Sequence, residues 1–224
     1  MLASGALENA FVRLEPLRLE HVEPLHAAAR QDPSLYALAP VPVDAAGMRG
    51  YVERALADAE AGRALPFAIA HKGQAGAPDR IAGSTRFMNL EWWSWPPGPI
   101  RASGEPRRPE AGDPPDVVEI GHAWLGATWL RTAVNTSACL LMMVQAFETW
   151  RVNRVTLKTD ARNNRSRAAI VRLGGRFEGI LRAHLPAADG IVRDTAMYSV
   201  LPAEWPETKQ RLESALARVH DGLP

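Results

Sequence analysis

The octapeptide WLRTAVNT, residues 129–136, sets an arginine and three hydroxyl or amide side chains just ahead of an apolar run, SACLLMMVQAFETW. Upstream lies the strand-like VVEIGHAWL, residues 117–125, and the apolar residues downstream recur at helical spacing. A strand, a turn and a helix start are therefore juxtaposed. The first turn of a helix carries N–H groups with no intrahelical acceptor, at the positive end of the macrodipole, so such a junction suits an anion, most often a phosphate. The same residues also suit a plain helix cap, with Asn135 or Thr136 as cap residue, and the local pattern leaves both readings open. A second helix start, DARNNRSRAAI at 160–170, places Asn163 and Ser166 three residues apart, the spacing of a cap and a first-turn hydroxyl.

Other chemistries lack their residues. The single cysteine, Cys139, lies in the middle of the apolar run, which predicts a buried, inert thiol and no intramolecular disulfide. No HExxH, His-rich or paired-Cys spacing occurs, so no metal site is expected. Lys plus Arg total 26 against 25 Asp plus Glu, a formal net charge of +1, which supplies no global field for nucleic acid or an anionic membrane. EWWSW offers stacking aromatics beside an acidic neighbour, Glu91, rather than a basic surface. The N-terminal MLASGALENAF lacks a basic segment with an apolar core, and no uncharged run reaches bilayer-spanning length, so a cytoplasmic location is expected.

Length and an apolar fraction of 46% suit one large globular domain or two small ones. After a tail at 1–10, VRLEPL (12–17) alternates as a strand, and Leu19, Val22, Leu25 and Ala29 recur as on a helix. Asp44 caps a second helix with the stripe Met48, Tyr51, Val52, Ala55, Leu56 and Ala59, ended by Gly62. PFAIAHK and RIAGSTRFMNL predict an antiparallel hairpin. Residues 91–116, rich in proline and holding Trp92, Trp93 and Trp95, read as an insertion loop that is mobile, functional or packed on a partner chain, including a second copy of this chain. The strand at 117–125, a helix at 136–150 and the strand RVTLKTD form a right-handed crossover with parallel strands. The short helix RSRAAIVRLGG, strands RFEGILRAHL and VRDTAMYSVL, and a helix holding Trp205, Leu212 and Leu216 complete the chain.

This order, with EIG at 119–121, RTAVNT at 131–136, AFE at 146–148, KTDARNNRSRAAIVRLGG at 158–175, EGILRAH, RDT at 193–195 and EW at 204–205, resembles the GCN5-related N-acetyltransferase (GNAT) superfamily. The branch resembled is that of the RimJ and RimL type, and the likeness runs from about residue 11 to 218. It implies a single domain over 11–224 of the α+β (mixed α/β) class. The central twisted sheet is mostly antiparallel with one splayed parallel pair, and helices cover both faces.

The resemblance further implies acetyl-CoA as cosubstrate, its pyrophosphate on the turn at 130–136. In the family pattern Q/R-x-x-G-x-G/A, Leu130 stands at the first position, Ala133 at the first glycine and Asn135 at the last small residue. Contacts are implied for Leu130, Arg131, Thr132, Ala133, Val134, Asn135 and Thr136, for Trp124 and Leu125 at the strand end, and for Asn163 and Arg167, with Arg165 flanking. The pantetheine arm would pair with the strand at 117–125 as an added strand, and Gly121 would permit a bulge. Alternation puts Glu119, Gly121 and Ala123 on one face and Ile120, His122 and Trp124 on the other. Glu119, directly or through water, or His122 is a candidate base for the acceptor amine; a hydrogen-bonded histidine in a mostly apolar layer is the plainer role of His122. Ser166 is the candidate acid for the departing thiolate. Arg182, His184, Arg193 and Asp194 would border the acceptor side as polar candidates, a structural role being the plainer reading of each. The implied activity is acetyl transfer to a primary amine, of a protein N-terminus or a small molecule, by direct attack; the alternative is a catalytically inactive acyl-CoA-binding or interaction protein.

Overall fold

The computed structural model describes residues 5–73, 76–94 and 113–220. In chain order the elements are β1 (Leu7–Glu8), β2 (Val12–Pro16), α1 (Val22–Ala29), α2 (Ala45–Glu60), β3 (Ala64–His71), β4 (Arg80–Glu91), β5 (Val117–Leu125), α3 (Ala133–Val144), β6 (Arg154–Asp160), α4 (Asn164–Arg172), β7 (Arg176–Pro186), β8 (Val192–Val200) and α5 (Trp205–His220). The eight strands make one sheet in the order β1-β2-β3-β4-β5-β6-β8-β7. Every neighbouring pair is antiparallel except β5 and β6, which run parallel as the crossover through α3 requires.

The alternation of each strand builds two cores. Val12 and Leu14, Phe67 and Ile69, Val118 and Ile120, Val155 and Leu157, and Tyr198 and Val200 face α3 and α5 in the larger one. Ala68 and Trp124 face the other way, against Leu25 and Ala28 of α1 and Met48, Tyr51 and Val52 of α2. Helices thus cover both faces, and each buried Leu, Val or Phe side chain contributes about 1.5–3 kcal/mol by leaving water. The α2 stripe comes from helical spacing, and its Asp44 cap accepts from Gly47 N–H at 2.8 Å.

Four local expectations are corrected. Residues 7–8, expected in a tail, pair with Arg13 and Leu14 as an edge strand. The first helix is a 3-10 turn at Leu19–His21 leading into the shorter α1. The third helix begins at Ala133, because Thr132 rather than Asn135 or Thr136 is its cap. That helix also ends early, passing into a π turn at Gln145–Thr149 whose Glu148 accepts from Trp205 Nε1–H (3.0 Å) and Lys209 Nζ–H (2.8 Å) of α5.

The insertion loop springs from the end of the sheet where β4 finishes and β5 begins. Its base is fixed: Trp92 Nε1–H donates to the Asp113 carbonyl, and Asp116, fully buried, accepts from Trp93 N–H and Asn153 Nδ2–H, all at 2.9 Å. Trp95 and the segment 95–112 lie outside the described residues.

Candidate active site

The parallel ladder between β5 and β6 is short. It pairs Val117, Val118 and Glu119 with Arg154, Val155 and Thr156, after which the two strands share no rung. The cause lies in β5. Between the pairs Arg86–Gly121 and Ser84–Trp124 the β4 strand advances two residues and β5 three, and His122 takes φ +48°. This is a β-bulge, which bends its strand and sharpens the local twist. Gly121 supplies room for it: a Cβ there would sit 2.8 Å from Met88 Sδ and 2.9 Å from Glu119 Oε1. Beyond Glu119 the edge of β5 that faces β6 therefore has no strand paired to it among the described residues, which leaves it open to an added strand.

The extra residue also reverses the alternation, which corrects the expected grouping of Ile120, His122 and Trp124. Ile120 faces the larger core, whereas Trp124 lies in the α1/α2 core, donating through Nε1–H to the Tyr51 oxygen at 3.3 Å. Leu125 returns to the larger core, and its carbonyl accepts from Tyr36 O–H at 2.9 Å. Burial pushes the Tyr36 hydroxyl up to about 12, so it stays protonated and keeps donating. Sequence reasoning missed Tyr36, 89 residues from its acceptor, since nothing local marks the pairing.

The turn into α3 is anchored by Trp129, stacked on His71 with ring centroids 4.5 Å apart. Thr132 O–H donates to the Trp129 carbonyl (2.8 Å) while its oxygen accepts from Val134 N–H (3.3 Å). Leu130 is extended and half-buried, and Arg131, exposed, takes φ +60°. Ala133 and Val134 turn their side chains into the core, so the methyl group that replaces a glycine points away from the turn's outer surface. The N–H groups of Ala133 and Asn135 meet no acceptor among the described residues. Two free donors, the helix dipole and the Arg131 guanidinium thus fit a pyrophosphate. Thr136, by contrast, is buried and accepts from Arg172 Nη1–H of α4 at 2.8 Å, fastening α3 to α4.

At the start of α4, Asn163 accepts from Ser166 N–H at 3.0 Å, the cap its spacing suggests. The Ser166 hydroxyl is half-buried and has no partner among the described residues. Arg167 is committed to structure, donating to Tyr198 O (3.1 Å) and to the Ala161 carbonyl (3.2 Å). Arg165 reaches across to the Leu35 carbonyl at 2.5 Å. A shallow depression of about 590 Å³ is lined by Asn164, Arg167, Ala168, Val171, Arg172 and Tyr198, and Arg172 joins its wall to the first turn of α3.

Glu119 is only 4% exposed, and its Oε2 takes Asn89 Nδ2–H at 2.7 Å and Lys158 Nζ at 2.9 Å. His122 is exposed and makes no hydrogen bond among the described residues, which corrects the expected bonded histidine in an apolar layer. Its imidazole sits 6.3 Å from the Tyr51 ring, centroid to centroid. Partial desolvation, then the charges of Arg86, Lys158 and Arg193, outweigh Asp58 and push its pKa down to about 4, so it is neutral near pH 7. Asp194 accepts from Ala183 N–H at 2.8 Å and pins β7 to β8, a structural role. Cys139 is buried, which pushes its thiol up to about 12. Among the described residues no three His, Cys, Asp or Glu side chains cluster as a metal site, and no helix is long and apolar enough to cross a membrane.

Residues 12–176 match the family model described as the acetyltransferase (GNAT) domain. Among curated proteins, one provisionally assigned as ribosomal N-acetyltransferase YdaF of Bacillus subtilis (strain 168) is 34% identical over 87 residues, 39% of this chain and 46% of that protein. The match therefore spans about half the length of that relative. Among solved structures, a provisionally assigned acetyltransferase from T. thermophilus superposes with a TM-score of 0.73 at 30% identity, covering 96% of this chain and 99% of that one. A GCN5-related N-acetyltransferase from Brucella melitensis gives 0.74 at 28% identity, covering 95% and 86%.

Proposed function

Since the chain belongs to the acetyltransferase (GNAT) family, we propose that it transfers the acetyl group of acetyl-CoA to a primary amine by direct attack. The observation that carries this reading is the parting of β5 from β6 after the Glu119–Thr156 rung, at the sheet end where α3 and α4 begin. Acetyl-CoA would supply a thioester, an acyl carbon activated toward an amine. The chain's part is to hold and to orient. Arg131 and the N–H groups of Ala133 and Asn135 receive phosphate, and the free β5 edge beyond Glu119 offers N–H groups to amides and to a developing oxyanion.

Two side chains take proton roles in this reading. The Ser166 hydroxyl, uncommitted at the head of α4, gives a proton to the departing thiolate. Neutral His122 receives the proton that the amine sheds on forming its new bond. Glu119, already holding Lys158 and Asn89, positions the face on which the amine arrives. The acceptor belongs to the class of protein N-termini or small amines, in keeping with the name of the Bacillus relative.

The test is calorimetric titration of the full chain with acetyl-CoA beside Arg131→Glu, followed by thiol release with a panel of amines. Binding in the wild type that Arg131→Glu weakens about tenfold or more supports the phosphate turn. Absence of wild-type binding would overturn the acetyltransferase reading.

A further inference from the structure

The sheet face that looks toward α1 and α2 carries more cations than its own anions hold. By register Arg86 of β4 stands beside Gly121 of β5, and Glu119 lies two residues before Gly121 on the same face. Lys158 of β6 joins that face through its bond to Glu119. Lys158 pairs with Met197 of β8, so Thr195 and Arg193, at two-residue steps from Met197, share the face as well.

Lys158 is neutralised by Glu119 at 2.9 Å, but the two arginines are not matched in this way. Arg86 is 4% exposed and makes no hydrogen bond among the described residues; its guanidinium lies 5.1 Å from the Tyr51 ring centroid and 3.9 Å from an Asp58 carboxylate that Arg63 already holds at 2.8 Å. Arg193, half-buried, makes no hydrogen bond or ion pair among the described residues; its charge reaches Asp160, on the same face opposite Thr195, but that carboxylate is already held by Arg162 at 2.6 Å. Arg86 Nε, Arg193 Nε and Thr195 Oγ1 are all buried without a partner there. Leaving such donors unmet is costly, the more so for charged groups, so a ligand that meets them binds with that gain. The His122 ring lies 6.3 Å from the Tyr51 ring over which Arg86 sits at 5.1 Å, and the charges of both arginines act on that imidazole.

The geometry points to an acceptor amine that also bears an anionic group, a carboxylate or a phosphate, received by Arg86 and Arg193 with Thr195 beside them. This inference rests on the acetyltransferase reading above. The anion comes either from a small amino acid or aminoalkyl phosphate or from an acidic side chain close to a peptide's N-terminus.

The experiment measures kcat/KM of the full chain with acetyl-CoA for matched acceptors: β-alanine and its amide, phosphoethanolamine and ethanolamine, and peptides beginning Ala-Glu or Ala-Gln. The expected result is a preference of about 10- to 100-fold for the anionic member of at least one pair. The pair that shows it identifies the source. Arg193→Met and Arg86→Lys remove most of that preference, chiefly through KM, and leave the acetyl-CoA Kd unchanged. Equal rates within every pair, or a preference that survives both substitutions, overturn the inference while leaving the acetyltransferase reading intact. A second readout needs no turnover: inorganic phosphate added to CoA-saturated protein shifts the His122 imidazole resonances, and Arg193→Met abolishes the shift. Unmoved His122 resonances overturn the inference. Failure to bind acetyl-CoA overturns the acetyltransferase reading instead, and the phosphate titration, run then on the protein alone, still tests the anion site.

Discussion

Lys158→Met isolates the contribution of one buried ion pair on the acceptor face. Glu119, 4% exposed, has two donors on Oε2, and the substitution removes the charged one while Asn89 Nδ2–H at 2.7 Å remains. Breaking a buried pair by removing one partner costs about 3–5 kcal/mol, because the surviving charge stays desolvated. The Lys158 side chain keeps 16% exposure, so water reaches the gap and the lower end, about 3 kcal/mol, applies. In a chain of this size that lowers Tm by about 6–12 °C. Glu119→Gln costs less, about 1–2 kcal/mol, since the lysine stem can swing its head toward solvent. The double variant, with neither charge, is more stable than Lys158→Met alone, and the cycle yields a coupling of about 1.5–3 kcal/mol. Thermal and urea unfolding measure it. A coupling below about 0.5 kcal/mol refutes the argument that these two groups depend on each other. The same proteins test the role of Glu119. If it positions, the double variant keeps most of the wild-type kcat; if it takes the amine proton itself, every variant lacking it loses about 10²–10⁴-fold.

Three shorter predictions concern the surroundings. Thr132→Val removes the cap of α3 and lowers stability by about 1 kcal/mol, measured by denaturant unfolding; a change within error would mean that Val134 N–H finds another acceptor. Cys139 resists thiol reagents in the native protein near pH 8 and reacts only on unfolding, its thiol being buried and pushed up to about 12; fast labelling of folded protein contradicts this. Hydrogen bonds from Arg162 hold the Asp160 and Asp189 carboxyls below their usual range. Depressed folded-state values add stability that is present above the unfolded carboxyl pKa, about 4, and is lost as pH falls through the folded values. Arg162→Met therefore lowers Tm near pH 7, and its gap from the wild type closes as pH falls below the unfolded carboxyl pKa; a gap independent of pH refutes the linkage.

The strand, turn and helix at 117–144 are legible in the sequence because alternation and helical spacing are separated there only by the short connection at 126–132. The two helix starts are legible for the same reason, though only approximately: a run of Thr, Asn and Thr offers several caps, and the choice of Thr132 depends on the Trp129 carbonyl that takes its proton. What the pattern cannot carry is an extra residue. Alternation has period two, and the bulge at His122 inverts it without leaving a mark in the residue types, so Trp124 falls on the face opposite to the one its position implies. Partnerships across the sheet are equally silent. Lys158 and Glu119 lie on strands brought together by a crossover, while the lack of a bonded acceptor for Arg193 Nε is a property of what surrounds it in space.

The bulge also joins the two halves of the candidate site. By bending β5 away from β6 it opens the edge proposed for the thioester-bearing chain, and by inverting the alternation it sends Trp124 into the α1/α2 core, against Tyr36 and Tyr51. Those tyrosines in turn support the side proposed for the acceptor, Tyr36 through the Leu125 carbonyl and Tyr51 beneath the Arg86 guanidinium. A substitution that straightened β5 would therefore harm both at once, closing the edge and displacing Trp124. Gly121→Val is such a substitution: its branched side chain meets Met88 Sδ and Glu119 Oε1 where even a Cβ lies within 3 Å. It should weaken acetyl-CoA binding and raise the acceptor KM together, whereas damage confined to the cofactor would show that the two halves are built independently.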